Sequence, residues 1–149
     1  MKDQLNRAIQ IKKIPKRIIS LVPSQTELLC DLGLENSIVG VTKFCVHPHH
    51  IKSNVAVVGG TKQIQLEKIK ALQPDIIFCN KEENTKAIVE ACESICNVHV
   101  SDIYSLDDSL ELITQYGQIF KKEKEAFSII EEINKEVSKF NHFIQNKST

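Results

Sequence analysis

The chain has 149 residues, of which 42% are hydrophobic and 26% are charged, so it can form a compact domain with a hydrophobic core. Nineteen basic residues balance nineteen acidic residues, and this lack of a basic surplus argues against nucleic-acid binding. No apolar run approaches the roughly 20 residues of a membrane span, and the first residues lack the apolar core of a secretory signal.

Short β-branched runs alternate with helical periodicities through the first 120 residues. The first strand is predicted at residues 17–22. Ser24 and Glu27 have the spacing of a capping box, which predicts a helix that begins at Ser24 and ends at Gly33. Further strands are predicted at residues 38–42, 55–58, 75–79 and 97–100. Short helices are predicted after the later strands, the last of them capped by Ser105.

This alternation predicts an α/β fold with a Rossmann-like, mainly parallel sheet flanked by helices. In such sheets ligands meet the loops at the carboxyl ends of the strands. Those loops are predicted at residues 23–26, 43–45, 59–62 and 80–84.

The C-terminal segment has a different pattern. Residues 121 to about 146 contain no glycine or proline, and apolar side chains recur there every three or four positions. This pattern predicts one amphipathic helix of roughly 25 residues, about 37 Å long. A helix of that length crosses a whole lobe.

One loop is rich in potential metal ligands, because Cys45 and His47 are followed by two further histidines. Thiolate and imidazole groups bind zinc, copper and iron. The spacing matches no known zinc motif, so a surface loop with solvated histidines is the alternative. Cys45 and His47 are the candidate metal ligands, and a cytoplasmic metal-binding module is the alternative function.

Two other loops have polar residues at predicted strand ends. Residues 59–62 could cradle an anion with backbone N–H groups, or form a turn that needs a positive φ, and they match no nucleotide-binding motif. Residues 80–84 offer general acid–base groups, or the acidic N-terminus of a helix. No nucleophile with an adjacent base is evident, so the chain is predicted not to be an enzyme, although a small cytoplasmic enzyme on a Rossmann-like scaffold remains a rival.

Five segments together carry a resemblance to a known family. They are RIISLVPSQTE at residues 17–27, GVT at 40–42, VGGT at 58–61, LEKI at 66–69 and LQPDII at 72–77. In this order and spacing they resemble the helical-backbone periplasmic binding proteins, which serve ABC importers of cobalamin and ferric siderophores. The resemblance covers about residues 15–120.

The resemblance implies three regions. Residues 1–14 are an N-terminal extension, residues 15–120 are the N-terminal ligand-binding lobe, and residues 121–149 begin the long helix that joins two lobes. The second lobe is expected to be absent from this chain. The family is periplasmic or anchored outside the cytoplasm, whereas a complete chain without a signal peptide would be cytoplasmic.

The resemblance also implies roles for individual residues. Glu67 matches the acidic residue that docks on an ABC permease. The residues implied as ligand contacts at the strand ends are Pro23, Ser24, Phe44, Gly60, Thr61, Asn80 and Lys81. The ligand would be cobalamin, haem or a ferric chelate, and no resident cofactor is expected. Thr61 and Asn80 stand where cobalamin binders carry tryptophan, and the absence of tryptophan from this chain favours a metal chelate.

Overall fold

The computed structural model describes residues 1–147 and contains one five-stranded sheet in the order β3-β2-β1-β4-β5. Every pair of neighbouring strands is parallel. This architecture confirms the predicted fold class. The strands are β1 Ile18–Ser20, β2 Ile38–Val41, β3 Ala56–Val57, β4 Ile76–Asn80 and β5 Asn97–Ser101.

Six α-helices connect or follow the strands. They are α1 Pro23–Asp31, α2 Ile51–Asn54, α3 Leu66–Ala71, α4 Lys86–Glu93, α5 Leu106–Phe120 and α6 Glu123–Lys147. A 3₁₀ turn, Glu35–Ser37, precedes β2. The predicted capping box at Ser105 is present, because its hydroxyl accepts the Asp108 N–H while the Asp108 carboxylate accepts the Ser105 N–H.

Two local predictions were wrong, and one short helix was not predicted. The capping box at Ser24 does not form, because α1 begins one residue earlier at Pro23, which suits the first helical position and has no N–H to satisfy. The short helix α2 follows the predicted histidine-rich loop and was not predicted. Glu82 and Glu83 are not the N-terminus of a helix, because α4 begins only after the capping residue Thr85.

The core lies on both faces of the sheet, and β4 shows how its side chains divide. Ile76 and Phe78 point to the face that α1, α5 and α6 cover, whereas Ile77 and Cys79 point to the face that α3 and α4 cover. This alternation follows from the two-residue period of a strand. Burial on both faces explains why the central strands are continuous apolar runs.

The predicted C-terminal helix is confirmed as α6, which has 25 residues. Its first turns pack against α5, where Gly117 allows a close approach. A Cβ atom on Gly117 would lie only 2.7 Å from the Cβ of Ala126. Further along, Phe140 is 62% exposed. Among the described residues, no helix has both the length and the hydropathy to cross a membrane.

The N-terminal segment, predicted as an extension, lies beside β5. The Gln4 N–H donates to the carbonyl of Val100 at 3.2 Å, and the buried carboxylate of Asp3 accepts the Val100 N–H at 3.1 Å. These contacts place residues 3 and 4 along the outer edge of the sheet.

Candidate ligand-binding edge

The carboxyl ends of β2 and β3 form an open groove of about 540 Å³. Three of the predicted contact residues line it together, namely Phe44, Gly60 and Thr61. Lys43 and Lys62 line it as well, although they were not among the predicted contacts. The structure therefore joins two loops that are about 17 residues apart in the sequence into one surface.

The two glycines after β3 form a tight turn. Gly59 has a φ of 122°, and a Cβ atom there would lie 2.5 Å from the carbonyl oxygen of Gln63. The Gly60 N–H donates to that same carbonyl oxygen at 2.7 Å, so this donor does not point at an anion. The positive φ of Gly59 confirms the predicted turn. Gly60 lies so close to Phe44 that a Cβ atom on Gly60 would be 3.2 Å from the Phe44 ring.

Asn84 connects three of the strand-end loops. Its amide nitrogen donates to the carbonyl of Thr61 at 2.9 Å and to that of Leu21 at 3.3 Å. Its amide oxygen accepts the Asn80 N–H at 2.8 Å, and the residue is only 3% exposed. The sequence analysis did not identify this role. The only sequence signal is an asparagine four residues after the end of a strand.

The side chain of Asn80 forms its hydrogen bonds within the protein. Its amide nitrogen donates to the hydroxyl of Ser101 at 2.9 Å, and its amide oxygen accepts the N–H groups of Glu82 and Glu83 at 2.9 and 3.0 Å. The buried side chain of Gln25 also donates to the Ser101 hydroxyl. These bonds fix the ends of β4 and β5 against α1. Contact between Asn80 and a ligand stays a prediction.

Lys81 follows Asn80 directly and has a different environment. Its side chain is half exposed, and its ammonium group lies 3.9 Å from a carboxylate oxygen of Asp102 and 6.0 Å from the ring centroid of Tyr104. Tyr104 is 70% exposed, and its hydroxyl donates to Glu82 at 3.2 Å. Tyr104 was not predicted as a contact, because the predicted ligand loops were those after the first four strands.

Lysines follow three of the strands at this edge of the sheet. The Lys43 ammonium group lies 5.1 Å from the ring centroid of Phe44, and Lys62 donates to the carbonyl of Glu82 at 2.6 Å. Together with Lys81, they follow β2, β3 and β4 respectively. Because Phe44 is also 54% exposed, the edge places ammonium groups beside aromatic surface, while the carboxylates of Glu82, Glu83 and Asp102 lie on the β4–β5 side.

Pro23 and Ser24 occupy the first turn of α1, next to the end of β1. Pro23 is half-buried and Ser24 is exposed, but neither lines the groove beside Phe44. Glu67 lies in the first turn of α3, and 88% of its side chain is exposed. Its one ion pair in the described chain is with Lys70 at 3.4 Å.

The predicted metal ligands are not brought together. The side chain of Cys45 is completely buried in the core, and burial raises the pKa of its thiol. His47 is exposed, while His50 pairs with Glu35 at 2.7 Å. Across residues 1–147 no group of three or more metal-ligating side chains occurs. Cys45 lies in the same core cluster as Ile51 of α2, so its thiol is separated from the exposed ring of His47.

A family profile described as "Periplasmic binding protein" matches residues 18–149. The chain belongs to the periplasmic binding protein family. This match confirms the resemblance drawn from the segments between residues 17 and 77.

Curated relatives of this chain include a substrate-binding lipoprotein and vitamin B12-binding proteins. YvrC of Bacillus subtilis, an uncharacterized ABC transporter substrate-binding lipoprotein, is 29% identical over 140 residues, which cover 91% of this chain and 44% of YvrC. A vitamin B12-binding protein of Pectobacterium carotovorum is 26% identical over 133 residues, which cover 87% of this chain and 47% of that protein. This periplasmic binding protein chain therefore spans about half the length of the curated relatives it matches.

Solved structures share the fold. A petrobactin-binding protein of Bacillus subtilis, YclQ, superimposes with a TM-score of 0.85 at 20% identity, over 93% of this chain and 50% of YclQ. A periplasmic heme-binding protein of Pseudomonas aeruginosa has a TM-score of 0.81 at 22% identity, over 88% of this chain and 47% of that one. At such identities the likeness establishes the periplasmic binding protein fold alone.

Proposed function

We propose that this chain is the ligand-binding lobe of a substrate-binding protein for an ABC importer, and that its ligand is an anionic metal chelate. The observation that carries the choice of ligand is the lysine-rich, aromatic edge formed by Lys43, Lys62 and Lys81 with Phe44 and Tyr104. The relatives named for vitamin B12 and the substrate-binding lipoprotein support the transport role.

The ammonium groups of Lys43 and Lys62, which line the groove, support a chelate over cobalamin. Exposed ammonium groups attract a negatively charged ligand, and aromatic rings beside them offer stacking surface to a flat chelating group. A corrinoid presents a large face for which broad indole rings are well suited, and the sequence contains no tryptophan. A ferric complex of catecholate or carboxylate groups fits the residues at this edge better.

The proposed role does not include a chemical reaction. Members of this family bind solutes, and the polar residues at the edge contact one another or solvent rather than forming a nucleophile with an adjacent base. Glu67 would contact an ABC permease, because its carboxylate is exposed at the end of α3 nearest the carboxyl edge. We place the protein outside the cytoplasm, periplasmic or held by a lipid anchor.

The test is a titration of the purified chain followed by two-dimensional ¹H–¹⁵N NMR. The probes are a gallium(III) tris-catecholate, which is a diamagnetic stand-in for the ferric complex, and cyanocobalamin. One lobe contacts only one side of a ligand, so dissociation constants in the high micromolar range or weaker are expected. NMR detects such weak binding. We expect amide shifts at residues 43–44, 59–62, 81 and 104 with the gallium complex and none with cyanocobalamin.

The lysines are tested by a triple variant, Lys43→Gln/Lys62→Gln/Lys81→Gln. It should bind the gallium complex at least about tenfold more weakly, since each tenfold step corresponds to about 1.4 kcal/mol. The matched control Lys124→Gln/Lys135→Gln/Lys139→Gln removes the same charge from α6 and should bind normally. Tighter binding of cyanocobalamin, or equal loss in both variants, would contradict the proposed ligand class.

A further inference from the structure

A second basic surface lies at the amino end of the sheet, opposite the ligand-binding edge. Residues 10–16, which lead into β1, form it together with the turn between α5 and α6. We call this surface the base. Neither the ligand-binding edge nor Glu67 is part of it.

Two adjoining grooves form the base. They share the segment Ile11 to Ile14, which includes Lys12 and Lys13. The first, of about 270 Å³, is completed by Met1, Gln118, Ile119 and Lys121. The second, of about 600 Å³, is completed by Gln10, Pro15, Lys16, Asp75 and Asn97. The grooves thus have isoleucine side chains in their walls and lysines around them.

The lysines of the base are not neutralised by the protein. Within the described residues 1–147, none of Lys12, Lys13, Lys16 and Lys121 forms an ion pair. The one acidic residue in the two grooves is Asp75, whose carboxylate accepts the backbone N–H groups of Lys16 and Arg17 at 2.8 and 3.1 Å. Because the whole chain has a net charge of zero, four lysines against one aspartate make the base locally positive.

The base combines this charge with exposed apolar surface, since Ile14 is 43% exposed beside Lys13. Lysines near an anionic bilayer are attracted to its headgroups, and a neighbouring apolar side chain can enter the headgroup layer. We propose that the base is a contact surface for the anionic headgroups of a lipid membrane. Contact through the base would leave the ligand-binding edge and Glu67 facing away from the lipid, so we propose it for the chain when it is not docked on a permease.

The test is co-sedimentation with vesicles at low ionic strength, about 50 mM salt, where the electrostatic screening length exceeds 10 Å. The vesicles contain phosphatidylglycerol and phosphatidylcholine in equal amounts, or phosphatidylcholine alone. We expect binding to the first and not to the second, with release when the salt is raised to about 0.5 M. The variant Lys12→Glu/Lys13→Glu/Lys121→Glu should bind at least tenfold more weakly, and Ile14→Asn should weaken binding a few-fold.

The control variant Lys52→Glu/Lys86→Glu/Lys139→Glu has the same net charge as the base variant. Three reversals leave 16 basic and 22 acidic residues in each case, which is a net charge of −6. Circular dichroism establishes that all variants are folded. Four outcomes would overturn the proposal: equal loss in both triple variants, binding to phosphatidylcholine alone, full displacement by millimolar inorganic phosphate, or retention on heparin without vesicle binding.

Discussion

The two sides of the ligand-binding edge use their polar residues in opposite ways. On the β4–β5 side, the buried side chains of Asn80, Asn84 and Ser101 are hydrogen-bonded within the protein. On the β2–β3 side, Phe44 and Lys43 are exposed beside a groove. The buried residues form a framework that holds the loops, whereas Phe44 and Lys43, like Lys81 and Tyr104 next to the framework, are open to a ligand.

The difference is sharpest between neighbours. Asn80 is the last residue of β4 and Lys81 follows it directly, yet only Lys81 is substantially exposed. Side chains of successive residues leave a strand in different directions, so one enters the framework and the other reaches solvent. Position at a strand end therefore does not by itself make a residue a ligand contact.

The largest expected effect is on the framework side. Asn84→Ala leaves the carbonyls of Leu21 and Thr61 and the N–H of Asn80 without their present hydrogen-bond partner. Unsatisfied buried groups cost about 1–3 kcal/mol each, partly relieved by water, so we expect a loss of about 3 kcal/mol in the free energy of unfolding. Urea denaturation followed by circular dichroism measures this loss.

Asn84→Asp and Asn36→Ala serve as controls for that measurement. The aspartate keeps the oxygen that accepts the Asn80 N–H but turns a buried carboxylate oxygen towards the carbonyls of Leu21 and Thr61, so it should cost at least as much stability as alanine. Asn36 is exposed, and its replacement should change stability by less than about 0.5 kcal/mol. A loss below about 1 kcal/mol for Asn84→Ala would show that Asn84 does not hold the loops together.

An effect on binding alone is expected on the open side. Phe44→Ala removes an exposed ring and should weaken binding of the gallium tris-catecholate about tenfold, while stability changes by less than about 0.5 kcal/mol. Gly60→Ala should have a smaller effect on binding, because the new methyl group only displaces the Phe44 ring. NMR titration and urea denaturation separate the two quantities. A large loss of stability in Phe44→Ala would place this ring in the framework.

The smallest effect on folding is expected at Glu67, which lies outside both sides of the edge. Glu67→Lys breaks one exposed ion pair with Lys70 and should change the free energy of unfolding by less than about 0.5 kcal/mol. If Glu67 docks on a permease, the same variant should abolish stimulation of transport in reconstituted vesicles. Unfolding of the variant would mean that Glu67 is structural.

The sequence predicted local features well where neighbouring residues determine them. The parallel strands, the Ser105 capping box and α6 follow from apolar spacing and from residues three or four positions apart. It was wrong at Ser24, where two local signals competed. Proline at the first helical position prevailed over a serine cap one residue later.

By itself, the amino-acid sequence determined the fold class, the order of the elements and the family, because hydrophobic periodicity and the motifs of residues 17–77 are properties of short segments. Only the tertiary structure decided which strand-end residues are buried and which are exposed. Asn84 bonds to residues 23 and 63 positions away, and Cys45 lies in the core with Ile51 of α2 whereas His47 is exposed. Such contacts depend on how distant loops meet at one edge of the sheet, and no local pattern encodes that meeting.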